Sequence, residues 1–135
     1  MNEHSFIRSI HTNMSSDVFV WKIADKYHGG VPDAWYSGPS GYMFIEYKYV
    51  SKLPKRSTTP VKIALTELQR AWLRTAISHN HLAYIVLGSE AGVYITQDPD
   101  LKRVTQEQFI SQCIPKQVFI NRIERVCTRG KTLME

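Results

Sequence analysis

At 135 residues the chain fits a single domain, large enough to bury a core and too short for two ordinary ones. Hydrophobic residues make up 43% and charged residues 21%, which excludes a disordered chain or a repeat array, and no apolar run is long enough to cross a bilayer. Lys and Arg number 17 against 12 Asp and Glu, a net charge of +5, which favours an anionic partner, nucleic acid foremost.

Two cysteines, Cys113 and Cys127, are too few and too far from any histidine pattern for a disulfide framework or a zinc site, and read as reduced and structural. The first residues, with Glu3, His4 and Arg8, lack the layout of a signal peptide, so the expected location is inside a cell, bacterial or virus-infected.

From Glu3 to Met14, Phe6, Ile7, Ile10 and Met14 recur at helical spacing and predict a first helix with one buried stripe. Residues 17 to 24, DVFVWKIA, predict a strand stopped by His28-Gly29-Gly30. Residues 31 to 36 and 42 to 50 predict two further strands around the turn Ser37 to Gly41. The stretch from Ser51 to Lys62 holds Pro54, Pro60 and four cations without an acid, and predicts a basic loop.

Thr66 and Gln69 have capping-box spacing, so a second helix begins there with Leu65, Leu68, Trp72 and Ala76 on its buried side. Strands follow at 82 to 88 and at VYIT after Gly92, then helices at 105 to 114 and 116 to 127. This order predicts an α/β fold with a mixed sheet, hairpins in its first half and a helical crossover in its second.

The charges of the third strand are its informative feature. Alternation puts Phe44, Glu46 and Lys48 on one face and Ile45, Tyr47 and Tyr49 on the other. A hairpin symmetric about its turn pairs Tyr36 with Met43 and brings Asp33 opposite Glu46. Directly opposed like charges, with Cβ atoms about 4.5–5.5 Å apart, destabilise a sheet unless something cationic lies between them. A hard divalent cation such as Mg²⁺ fits, because it takes few carboxylates and keeps water and substrate oxygens in its other positions.

The same spacing also fits a turn aspartate after Pro32 and an exposed ion pair of Glu46 with Lys48. Three observations favour the site: Pro-Asp directly follows a Gly-Gly pair, the charges end an apolar run, and a basic loop and a helix come next.

Taken together, GGVPD, FIEYK and LTELQRAWL followed by an apolar strand resemble the PD-(D/E)XK nuclease superfamily, most of all its small phage-encoded, VRR-NUC and Holliday-junction-resolvase-type members. The resemblance implies a restriction-endonuclease-like core, with a central mixed sheet flanked by helices plus C-terminal helices, and a nuclease that cuts DNA with Mg²⁺, Mn²⁺ substituting. It implies Asp33 and Glu46 as metal-binding acids, the main-chain carbonyl of Tyr47 as a further ligand and Lys48 as the catalytic lysine. Gln69 matches the glutamine of the following helix, and Glu3 the acid some members carry on the first helix. Resolvase-like members imply a homodimer acting on branched DNA, with no small-molecule cofactor and no membrane.

Gln69 has a second role open to it, as the capping partner of Thr66. Lys52, Lys55, Arg56 and Lys62 are read as phosphate contacts, the alternative being a solvated loop. Arg122, Arg125, Arg129 and Lys131 either extend that surface or belong to a frayed tail. His28, His79 and His81 have no metal-ligand spacing, Asp25 reads as a solvated charge, and Trp21, Trp35 and Trp72 read as core or dimer packing rather than base-stacking platforms. The rival function is a nucleic-acid-binding protein without catalysis, relying on the basic loop 51 to 62. Duplex, single strand, branched DNA and RNA all remain open as substrates.

Overall fold

The computed structural model describes residues 1–25 and 27–135. Helix α1 (Glu3–Thr12) starts at Asn2, whose side chain accepts a hydrogen bond from the Ser5 amide, and buries the expected Phe6, Ile7 and Ile10. Strands β1 (Phe19–Lys22), β2 (Ala34–Gly38) and β3 (Gly41–Val50) form an antiparallel meander. Tyr36 pairs with Met43 as expected, and the β2–β3 turn tightens to Pro39-Ser40 between the paired Gly38 and Gly41.

Strand β4 (Pro60–Lys62) precedes helix α2 (Glu67–Ser78), which crosses over to β5 (Ala83–Ser89), parallel to β3. Strand β6 (Gly92–Thr96) returns antiparallel to β5, giving a five-stranded mixed sheet in the order β1-β2-β3-β5-β6. Strand β7 (Arg103–Thr105) pairs with β4 in a separate two-stranded ribbon, before helices α3 (Gln106–Gln112) and α4 (Lys116–Arg129). The basic segment is therefore a loop only as far as Thr59. Its last three residues are tied to a strand some forty positions away, a pairing without local signal in so short a run.

Helices α1 and α4 cover one face of the sheet. Phe6, Ile10, Phe119, Ile123 and Val126 pack there against Tyr36, Ile45, Tyr47, Tyr84 and Val86. On the other face, Leu73 and Ala76 of α2, Phe109 of α3, and Val61 and Val104 of the ribbon cover Ile85, Leu87 and Tyr94. That second cover stops short of β1 and β2. Phe19 and Trp21 stand 62% and 51% exposed, so of the core and dimer packing expected as alternatives for Trp21, core packing does not hold.

The buried side of α2 is also rotated from the expected stripe. Leu73 and Ala76 are buried, together with Arg70, while Leu68 is 63% exposed because it looks over the uncovered part of the sheet. The C-terminal residues are pinned rather than frayed: Leu133 is buried, its amide donates to the Tyr84 hydroxyl at 3.1 Å, and the Arg122 guanidinium donates to its carbonyl at 3.4 Å. Among the described residues, no helix is long and apolar enough to cross a membrane.

Candidate active site

The segment GGVPD is placed by a contact between two backbones. Gly30 has φ +81, and a Cβ built on it would lie 2.3 Å from the Leu68 carbonyl oxygen, so the loop rests directly on the first turn of α2. A side chain there would push Asp33 away from the helix that carries Gln69. Asp33 itself precedes β2, and the Ala34–Ile45 pair continues the register that brings it opposite Glu46. Its carbonyl accepts from the Ile23 amide at 2.9 Å, and its Oδ2 accepts from the Tyr47 amide at 2.8 Å. A strand residue sends its N–H and C=O out of the same edge, so the Tyr47 carbonyl also faces the gap left where β2 ends.

Glu46 is only 2% exposed. Its Oε2 accepts from the Gln69 side-chain amide at 3.2 Å and lies 3.9 Å from the Lys48 ammonium, while its Oε1 is buried without any hydrogen-bond partner. Burial, and then the negative charge of Asp33, push the Glu46 carboxyl up to about 9, with Lys48 opposing them.

Glu3 joins the cluster from α1. Partial burial raises its carboxyl above the usual range, Lys48 pulls it down and Asp33 pushes it up, so it feels both groups. The helix is set close to the sheet because Phe6 lies over Gly88, where a Cβ would come within 2.6 Å of the ring. Glu3, Asp33 and Glu46 are thus coupled electrostatically, with Lys48, 3.9 Å from Glu46, as the cation among them, leaving two negative charges in excess when all are ionised.

That donor set fits a hard divalent cation. Two carboxylates, one of them with an orphaned oxygen, and a main-chain carbonyl suit Mg²⁺, which is commonly held by one or two carboxylates with water and substrate completing its shell. Among the described residues, no three or more His, Cys, Asp or Glu side chains gather into a metal-holding group, so an all-protein cage is not on offer.

Gln69 makes the capping contact and also reaches Glu46. Its Oε1 accepts from the Thr66 amide at 2.8 Å, the Thr66 hydroxyl accepts from the Gln69 amide at 3.2 Å, and the remaining side-chain nitrogen reaches Glu46. Lys52, Lys55, Arg56 and Lys62 are exposed beyond the end of β3, outside the carboxylate cluster. His28 pairs with Asp25 at 2.7 Å, His79 caps the C-terminus of α2, and His81 bonds the Tyr42 hydroxyl at 2.9 Å. Trp35, two residues after Asp33, opens an aromatic stripe instead of entering the site.

Two groups behind and beside the site were not singled out from the sequence. His11 bonds the Tyr36 hydroxyl at 2.7 Å, which bonds the Tyr47 hydroxyl at 2.6 Å, forming a buried chain on the far face of β2 and β3, directly behind the carboxylates. Burial, with Lys22 nearby, holds the His11 imidazole below its usual range. Arg70, 5% exposed, donates to the carbonyls of Ile63, Pro99 and Leu101 at 2.8–2.9 Å. Only His11's helical spacing with Ile7 hinted at an inward side chain, and nothing local distinguished Arg70 from a surface arginine.

No protein-family model matches the chain, and no curated protein matches its sequence. Among solved structures it is similar to Hjc, a Holliday junction resolvase from the archaeal hyperthermophile Archaeoglobus fulgidus, with a TM-score of 0.57 and 17% sequence identity over 85% of this chain and 98% of that one. At that identity the likeness is one of fold: an α/β, restriction-endonuclease-like arrangement with a mixed central sheet flanked by helices.

Proposed function

We propose that this protein is a metal-dependent nuclease that hydrolyses DNA phosphodiester bonds, branched DNA foremost, with Asp33 and Glu46 holding Mg²⁺ and Mn²⁺ able to substitute. The observation that carries the reading is Glu46: a carboxylate almost wholly removed from water, facing a second carboxylate, with one oxygen lacking any partner. Such a group destabilises a fold unless it is neutralised, and a cation between the acids neutralises both. A bound divalent ion would make a coordinated water more acidic and would stabilise charge on the phosphate.

The chain's own residues do the rest. Asp33 is fixed by the Tyr47 amide, and Gln69 orients Glu46, so the two acids meet without searching rotamers. Lys48, on the same face and at the solvent edge of the cluster, orients the attacking water and offsets charge on the phosphate. Glu3 accepts a hydrogen bond from that water on the α1 side.

The homodimer belongs to the same proposal. Phe19, Trp21, Trp35 and Tyr42 make a connected aromatic face over β1 to β3, the kind of contiguous apolar surface that marks an interface rather than a solvated wall. A branched substrate gives two such subunits two strands to cut.

The test is a panel of labelled linear, flapped and four-way DNAs, incubated with Mg²⁺, with Mn²⁺ and with chelator. Cleavage that needs metal and is strongest on a branched DNA is expected. Salt-sensitive binding with no cutting of any substrate in either metal would transfer the protein to the non-catalytic reading.

A further inference from the structure

The β4–β7 ribbon places Lys62 directly opposite Arg103. Val61 and Val104, one position further along, are buried in the core, so alternation turns Lys62 and Arg103 outward, and both are exposed. Like charges facing each other across a strand pair repel and weaken the pairing. Lys102, also exposed, adds a third cation and anchors the corner by accepting from the Ile63 amide at 2.9 Å.

Beside this pair lies a cleft of about 430 Å³ lined by Lys62, Lys102, Arg103, Arg70 and Glu67. Arg70 is buried against three carbonyls and no carboxylate, so its charge is left uncancelled. Glu67, the one acid of the lining, is engaged by Arg74 at 2.8 Å. Among the described residues, none of Lys62, Lys102 and Arg103 forms an ion pair. A neighbouring cleft shares Pro60 and Lys62 with the first and runs past Lys52 to Tyr49 and Val50, the end of the strand that carries Lys48.

We propose that the ribbon is a phosphate track. Lys62, Lys102 and Arg103, with Arg70 strengthening the potential beneath them, bind the sugar-phosphate backbone of the nucleic-acid arm that leads, past Lys52, into the carboxylate site. Two cations on a rigid strand pair, facing the same way, accept successive phosphates without first ordering a loop, and the bound phosphates relieve the Lys62–Arg103 repulsion. The direction of the track rests on the nuclease reading; the track itself does not.

The test is anisotropy of a labelled duplex DNA in chelator, between about 50 and 200 mM salt, with three proteins: the parent, Lys62→Gln with Arg103→Gln, and a control double variant, Arg8→Gln with Lys22→Gln, both exposed and outside the basic surface. Each lost phosphate contact lowers the slope of log affinity against log salt by about 0.9, so the ribbon variant is expected to lose about 1.8 and the control close to none. Thermal stability of the ribbon variant should be unchanged or slightly raised, because repulsion is removed, which separates lost binding from lost folding. Lys102→Gln should lower the slope by about 0.9. An unchanged slope in the ribbon variant, or an equal loss in the control, overturns the track. A parent that binds through the ribbon in chelator but cuts nothing once Mg²⁺ or Mn²⁺ is added overturns the nuclease reading alone.

Discussion

The β2–β3 hairpin breaks two ordinary rules on one face, at its two ends. At one end Glu46 is buried beside the partly buried Asp33 and lacks a partner for one oxygen; at the other, Tyr42, with Phe19 and Trp21 of β1, is left in water around a half-buried Trp35. A buried carboxyl with one oxygen unsatisfied and an exposed aromatic patch are the two departures from normal burial that carry information. Both arise because α2 and the ribbon cover only the β3-β5-β6 side of the sheet. The difference between the ends is one of chemistry. The first holds more carboxylate than its single ammonium balances and is the proposed cation site, while the second lacks apolar cover and is the proposed dimer face.

The largest expected effect is at the charged end. Asp33→Ala, Glu46→Ala or Lys48→Ala should each lower cleavage at least about 10²–10³-fold while leaving the fold and most DNA binding in place. If all three cut like the parent, the two ends are not different in kind. Stability sharpens the contrast next: Leu73→Ala, under the covered side, should lose about 2–5 kcal/mol in denaturant unfolding. Trp21→Ser should stay within about 0.5 kcal/mol of the parent yet shift sedimentation towards the monomer.

A smaller effect separates the ends by pH. The folded Glu46 carboxyl sits near 9, against 4.5 for an ordinary glutamate, so the native state holds a proton that the unfolded chain has released. Its contribution to stability is intact below the lower value, falls as pH rises through that window, and is fully lost above about 9. Glu46→Gln should therefore melt about 5 °C above the parent at alkaline pH in chelator, and the two should converge in acid. Mg²⁺ should raise the parent's melting point more at alkaline than at acidic pH, and leave Glu46→Gln unmoved. The smallest change is Gln69→Ala, expected to lose about 1 kcal/mol of stability through its cap and only part of the activity.

The hairpin was legible because its signals are local. A glycine turn fixes the register, alternation fixes the face, and both follow from residues within twenty positions of each other. Gln69 was legible for the same reason, through its three-residue spacing from Thr66. The ribbon was not: β4 and β7 are three residues each, one of them starts with a proline, and what joins them is packing of Val61 and Val104 on a distant core. Arg70 was missed because its partners, the carbonyls of Pro99 and Leu101, come from a loop about thirty residues on. Leu68 and Trp21 were placed inside because periodicity says that a strand or helix has two sides, and not which side the rest of the chain reaches.

Gln69 spends one end of a single amide on the start of α2 and the other on Glu46. Opening of that helical turn and loosening of the carboxylate are therefore the same event, seen from two sides. The Thr66 amide, which donates to this side chain, becomes a residue-resolved reporter: its hydrogen-exchange rate should slow when a divalent ion draws Glu46 into place, long before any DNA is present.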